Sequence, residues 1–363
     1  MSFPHYFSSV VLSFIVFILF VLITPTQHDL SFTYSFSSLS VSGSNQHIDI
    51  PSLDVFNTKF THNKSTGMFY YKNNYIDVSK FNYSGVCGDV FKYGPNTKRD
   101  LVIGSYDFKN KCIKESVFQA LEMTRIAMPD CRIVFLLFSS IPSTCVGNFK
   151  RLSDLHVETY KVTRHPFQDA VVFRFIAFRD YITKHIKEID RVVIIDFRDV
   201  LFFADFFRTF GANEVNWLLE CYGTNDPNDC FGPANFPEHA RWIRRYISSS
   251  IADDFVQRNI SSLNGGFAFG GADKMKEVLN ILCDNMDWKE MMWGYDQALL
   301  NVLYYTGKFE NVGLQAVACQ QRVCYIGING FRVENKVIYW NNTLCSPVAT
   351  HKFTTNSTHW RVR

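Results

Sequence analysis

RVVIIDFRDVLFFAD, running from Arg191 to Asp205, is the stretch from which the rest of this chain can be read. Val192 to Ile195 are four consecutive β-branched apolar residues, short and continuous as in a strand buried on both faces in the middle of a parallel sheet. Two acids, Asp196 and Asp199, follow at once. In an open α/β sheet, ligands sit outside the carboxyl ends of the strands, so a carboxylate pair delivered there is suited to hold a divalent metal. The same residues have a plainer reading. Asp is common where a strand stops, and Arg198 between the acids would then pair with one of them at the surface.

Working upstream, Leu101–Tyr106 (LVIGSY) reads as a first strand, Lys114–Ala127 as a helix and Arg132–Phe138 as a second strand. Val157–Val162 reads as a third strand, and Phe167–Lys187 as a long helix with apolar residues at Val171, Phe175, Phe178 and Ile182. This alternation predicts an α/β fold with a mostly parallel central sheet flanked by helices. Downstream, Val215–Leu219 is a further strand ending at Glu220 and Cys221, and His239–Val256 reads as one helix. Ser262–Gly271 (SLNGGFAFGG) reads as a Gly-rich loop and short strand, Lys274–Met286 as a helix, and Trp293–Tyr304 as another. Asp296 and Gln297 fall near the start of that last helix, where the macrodipole favours an acid, so capping alone accounts for Asp296. No repeat of 20–50 residues is visible.

The N-terminus carries a different signal. Tyr6 to Ile23 contain no charge, and about 18 residues at ~1.5 Å each reach ~27 Å, close to the hydrocarbon thickness of a bilayer. Residues 6–24 are therefore expected to be a membrane anchor, with 1–5 cytoplasmic; a cleaved signal peptide is the other reading. Residues 25–99, rich in Ser, Thr, Asn and aromatics, are expected to form a stem, and 100–363 the main domain. N-x-[ST] sites at Asn63, Asn82, Asn259, Asn341 and Asn356, and ten cysteines all beyond the anchor, point to a lumenal domain with disulfides, whose pairing the spacing leaves open. The net charge of +3 argues against nucleic acid as a partner, and the arginines of RWIRRY (Arg241, Arg244, Arg245) read as a solvated helix face. The aromatic content of 16% is assigned to anchor and core, not to a sugar-stacking platform.

Three motifs in order, IIDFRDVLFF, an asparagine-glycine turn in LNGGFAFGG, and GYDQALLN, resemble the GT-A class of nucleotide-sugar-dependent glycosyltransferases over about Asp100 to Phe353. The departure is that the class usually has D-x-D, whereas Arg198 stands at its third position and Asp199 follows. The resemblance implies a Golgi or ER type II membrane enzyme. Its reaction would be transfer of a sugar from a UDP- or GDP-sugar to a glycan, protein or lipid acceptor, with Mn²⁺ or Mg²⁺ on the diphosphate. It implies Asp199 as direct metal ligand, Asp196 as ligand or ribose contact, and His351 of THKF as third ligand. It also implies Arg174 near the donor phosphates, Arg198 at the donor, Tyr106 at the base or ribose, Asn264, Gly265 and Gln297 at the donor sugar, and Asp296 as catalytic base or sugar contact. Two alternatives stand beside it. One is a non-catalytic membrane-anchored binding protein with the same fold. The other is a phosphatase of the haloacid dehalogenase type, which would use the first Asp as nucleophile but expects Asp where Arg198 stands.

Overall fold

The structure, a computed structural model, describes residues 68–71, 74–108, 111–163, 168–221, 230–325 and 331–352. The apolar run at 6–24, most of the expected stem, and Asn63 and Asn356 lie outside these residues. Among the described residues no helix is long and apolar enough to cross a membrane.

In chain order, a hairpin of β1 (Met68–Tyr71) and β2 (Asn74–Asp77) precedes β3 (Asp100–Tyr106), α1 (Glu115–Ala127), β4 (Arg132–Leu137), α2 (Val146–Asp154) and β5 (Val157–Lys161). Then come α3 (Ala170–Lys184), β6 (Arg191–Ile195), β7 (Val200–Phe202), β8 (Val215–Leu219), α4 (Pro237–Tyr246) and α5 (Ser249–Gln257). The chain continues through β9 (Leu263–Gly271), α6 (Ala272–Asp284), α7 (Tyr295–Tyr305), β10 (Leu314–Val317) and β11 (Val323–Tyr325). A hairpin of β12 (Phe331–Glu334) and β13 (Val337–Trp340) and a last strand, β14 (Ala349–His351), follow.

The main sheet has the order β10-β8-β9-β6-β3-β4-β5. Only β9 runs against its neighbours, pairing antiparallel with β6 and β8. The expected class therefore holds: mostly parallel strands, helices on both faces. The run Val192–Ile195 shows why. Val193 and Ile195 enter one apolar core with Val117 and Leu121 of α1, while Val192 and Ile194 enter the other with Phe175 and Phe178 of α3 and Val278 of α6. Successive side chains point to opposite faces, so a strand in the centre of three layers has to be apolar at every position.

Several expectations need correction. LNGGFAFGG is neither a turn nor a short strand but the fully buried, nine-residue β9. Glycine lowers intrinsic strand propensity, but pairing along both edges and the need for close backbone approach outweigh it here. The expected single helix from His239 to Val256 is two. The Ile247 N–H closes onto the Ile243 carbonyl, Ser248 turns extended (φ −164°, ψ 137°), and its Oγ accepts from the Ile251 N–H at 3.5 Å to start α5. The long helix before β6 starts later than expected, at Ala170, because the Asp169 carboxylate accepts from the Val171 N–H at 2.8 Å and caps it.

Part of the segment expected as stem lies within the folded body. Val78, Phe81, Tyr83 and Phe91 belong to the core cluster that contains Phe203, and Cys87 is bonded to Cys345. Cys112–Cys145, Cys221–Cys230 and Cys319–Cys324 are also bonded, and Cys131 and Cys283 are free and buried.

Candidate active site

A second, smaller sheet, β11-β14-β7, assembles the end of β6. β14 pairs antiparallel with β7 so that His351 lies opposite Val200, one residue after Asp199. The register alone brings a histidine from near residue 350 to the acids near 200. Asp196, Asp199 and His351 each offer one ligand atom, all within 4.8 Å of one another. His351 Nε2 stands 3.4 Å from Asp199 Oδ1. Asp199 Oδ1 and both ring nitrogens of His351 are buried without a hydrogen-bond partner among the described residues. An orphaned buried polar atom costs about 1–3 kcal/mol; Asp199 Oδ1 and the facing Nε2 of His351, 3.4 Å apart, are two such atoms beside Asp196 and fit a site for a cation.

The charge states agree with that fit. Burial raises the Asp199 carboxyl, but Lys352, His351 and Arg198 outweigh it and hold it well below the usual carboxylate range. Burial lowers the His351 imidazole, keeping it in the neutral form that ligates metal. Two carboxylate oxygens and one imidazole suit Mn²⁺ or Mg²⁺ with room for ligand oxygens. Lys352 Nζ, 3.1 Å from Asp199 Oδ2, balances the second oxygen of that acid. Asp196 is placed as a third potential ligand rather than only near a ribose.

Arg174, from the middle of α3, ties the floor together. It donates to Asp196 Oδ1 at 2.5 Å, to the Gly265 carbonyl at 2.6 Å and to Asp296 Oδ2 at 3.3 Å. It is thus a clamp on two acids and the start of β9. Asp296 sits in the first turn of α7 but does not cap it; the preceding Gly294 takes a left-handed φ of 87°. Burial pushes the Asp296 carboxyl up to about 6, against the pull of Arg174. β9 supplies the other wall. Gly266 lies so close to Asp196 that a Cβ there would stand 2.5 Å from Oδ2.

These groups line one open cleft of about 750 Å³, together with Tyr106, Arg198, Asn264, Gly265 and Gln297, so the structure brings together every residue expected at the site except Asp199 and His351, which close its floor. Tyr106, at the end of β3, packs edge-on against Phe108 with centroids 5.1 Å apart. Arg198 is 61% exposed, and its Nη2 stands 3.4 Å from Asp199 Oδ2, so the pairing with one of the acids that its position between them suggested is made. Asn264 Nδ2 and Gln297 Nε2 both donate to Glu220 Oε1, at 2.6 and 3.1 Å. Glu220, its partner His239 (3.1 Å), Lys352, Trp242 and Trp293 were not expected at the site. Glu220 had a usable signal: like Asp196, it follows an apolar strand at its carboxyl end.

No protein-family model and no curated protein matches the sequence. The fold is similar to solved glycosyltransferase structures. LgtC, a galactosyltransferase solved as an active-site variant and with donor and acceptor sugar analogues, gives TM-scores of 0.39 and 0.36 at 13% identity, over 69% of this chain and 86% of that one. Core-mannan synthase A of Aspergillus fumigatus, in its Mn/GDP form, gives 0.31 at 12% identity over 66% and 83%. The mannosyltransferase Ktr4p of S. cerevisiae gives 0.31 at 9% identity over 69% and 81%. Likeness this slight decides nothing by itself; fold and reaction are argued from the strands and side chains of this chain.

Proposed function

We propose that the protein is a metal-dependent glycosyltransferase that takes a sugar from a nucleotide-diphosphate donor. The observation that carries this reading is the meeting of Asp196, Asp199 and His351, with orphaned buried ligand atoms, at the floor of an open cleft. A bound Mn²⁺ or Mg²⁺ would supply Lewis-acid stabilisation of the charge on the departing diphosphate. The chain's own groups take the remaining tasks. Tyr106 faces the base or ribose; Arg198 and Lys352 offer cations to the phosphates; Asn264, Gly265 and Gln297 hold the donor sugar. Transfer breaks the bond from the anomeric carbon to the phosphate oxygen and forms one to an acceptor oxygen, whose proton goes to Asp296. A carboxyl raised to about 6 is a better base near neutral pH than an ordinary one.

The phosphatase alternative calls for a second Asp two residues after the nucleophile, and Arg198 stands there. Placement of this domain in the Golgi or ER lumen, behind a single-pass anchor at 6–24, belongs to the same proposal. Four disulfides and an exposed Asn259 within N-x-S support an oxidising, glycosylating compartment. The test is a panel of UDP- and GDP-sugars offered to the full chain, with nucleotide release measured in Mn²⁺ and in EDTA, beside Asp199→Ala. Metal-dependent release that is lost in the variant supports the proposal. Folded protein that binds neither Mn²⁺ nor any nucleotide would refute it in favour of a non-catalytic binding protein.

A further inference from the structure

The cleft has two ends of different chemistry. One is lined by Asp196, Asp296, Arg198 and Lys352; the other is walled by aromatic rings. On α4, Phe236, His239 and Trp242 recur every three residues along one side and touch in series, with ring centroids 4.8 and 5.5 Å apart. Trp242 then meets Trp293, from the loop before α7, at 6.3 Å with the planes 83° apart. All four rings line the cleft. The arginines of RWIRRY face outward, as expected, and it is the tryptophan between them that turns in.

The wall is incompletely covered. At Gly294, which adopts a φ of 87°, a Cβ would stand 2.5 Å from the Trp242 indole, so one face of that ring is packed against bare backbone. Trp293 leaves 56% of its surface to solvent, although most aromatic side chains of the described residues are buried. At the foot of the wall stand polar groups already fixed in place. Glu220 is paired with His239 at 3.1 Å and accepts from Gln297 at 3.1 Å.

We propose that this end of the cleft is the acceptor site and that its occupant is a saccharide, seated with the apolar face of a pyranose ring on the exposed Trp293 and its edge against Trp242, whose plane stands at 83° to it. The proposal rests on the transferase reading and names its acceptor class. A pyranose has one C–H face and a rim of hydroxyls, so it needs an aromatic plane and hydrogen-bonding groups side by side. A lipid chain would call for a continuous apolar slot, which Glu220, His239 and Gln297 interrupt. Gln297 joins the two ends, its Nε2 3.3 Å from His239 Nε2 and its Oε1 accepting from the Gly265 N–H at 3.4 Å, so a hydroxyl of a sugar on the platform lies next to the site assigned to the donor.

The experiment uses the full chain in detergent with Mn²⁺ and UDP or GDP, applied to an array of defined oligosaccharides, with nucleotide binding measured separately by calorimetry. The wild type should bind a related set of glycans. Trp293→Ala and Trp242→Ala should each weaken that binding about tenfold or more, as expected for loss of a stacked aromatic contact. Trp293→Phe should restore most of it, and Mn²⁺-nucleotide binding should stay within about twofold throughout. Glycan binding undiminished in both alanine variants overturns the proposal. So does a wild type that binds Mn²⁺ and nucleotide but no glycan. Tryptophan-dependent glycan binding without any nucleotide binding would instead keep the platform and sink the transferase reading.

Discussion

Gly266→Ala puts the geometry of the metal floor to a quantitative test. The new Cβ would stand 2.5 Å from Asp196 Oδ2 and 2.9 Å from its Cγ, where ordinary contact begins at 3.4 Å. Asp196 therefore has to withdraw by about 0.9 Å, the difference between those two distances. It cannot swing freely, because its other oxygen is held by Arg174 at 2.5 Å. Ligand distances at a metal tolerate about ±0.2 Å, so the displacement is several times the tolerance, and Mn²⁺ affinity should fall about 10–100-fold or more. Calorimetric titration of Mn²⁺ into wild type and variant gives that ratio, with circular dichroism as the control for folding. Gly265→Ala is the internal comparison: its Cβ would meet Arg174 Nη2 at 3.0 Å and Asp296 Oδ2 at 3.4 Å, a much smaller adjustment. Folded Gly266→Ala protein with unchanged Mn²⁺ affinity would show that Asp196 is not a ligand.

On the transferase reading, the raised Asp296 carboxyl sets the pH dependence of the rate. As a base it must be ionised, so the transfer rate should climb with pH through about 6, and Asp296→Asn should flatten that limb along with most of the activity. Because its folded value lies above the ordinary 3.8, the same group stabilises the fold fully below about pH 4 and loses that contribution as pH rises towards 6. Denaturant melts at pH 4.5 and 7 would show the sign reversed if the carboxyl were instead held low by Arg174. Replacing Cys87 and Cys345 together by Ser opens a bridge of sequence separation 258, and the loss should be on the order of 2–5 kcal/mol. Scanning calorimetry should show a drop of roughly 5–15 °C; a midpoint unchanged within about a degree would mean the bridge constrains nothing that packing does not.

What was legible in the sequence is what local chemistry dictates. Val192–Ile195 announce a strand buried on both faces because no other arrangement hides four consecutive β-branched side chains, and the acids after it fall where such strands deliver ligands. β9 was misread for an equally local reason. Its glycines signal turns, and only the close neighbours Asp196 and Val215 show that the absence of side chains serves packing. His351 could be named by resemblance, but its partnership with Asp199 is a property of the β7–β14 register, which no spacing in the chain encodes. Glu220 and Lys352 were each one step from being found, the first at the carboxyl end of a strand and the second beside His351. Trp242 was hidden inside a run whose arginines dominate its appearance; which side of α4 faces the cleft is settled only by how α4 packs on α7.

The late place of His351 in the chain has a consequence for how the proposed metal site would assemble. Asp196 and Asp199 emerge early, on a strand that has most of its partners soon after. His351 arrives only when β14 docks between β7 and β11, near the end of the described residues. A chain cut before Ala349 would keep the acids and most of the main sheet but lack His351. On the transferase reading such a chain should fold its main sheet yet bind Mn²⁺ weakly, so the docking of β14, not the strand that bears the acids, completes the site.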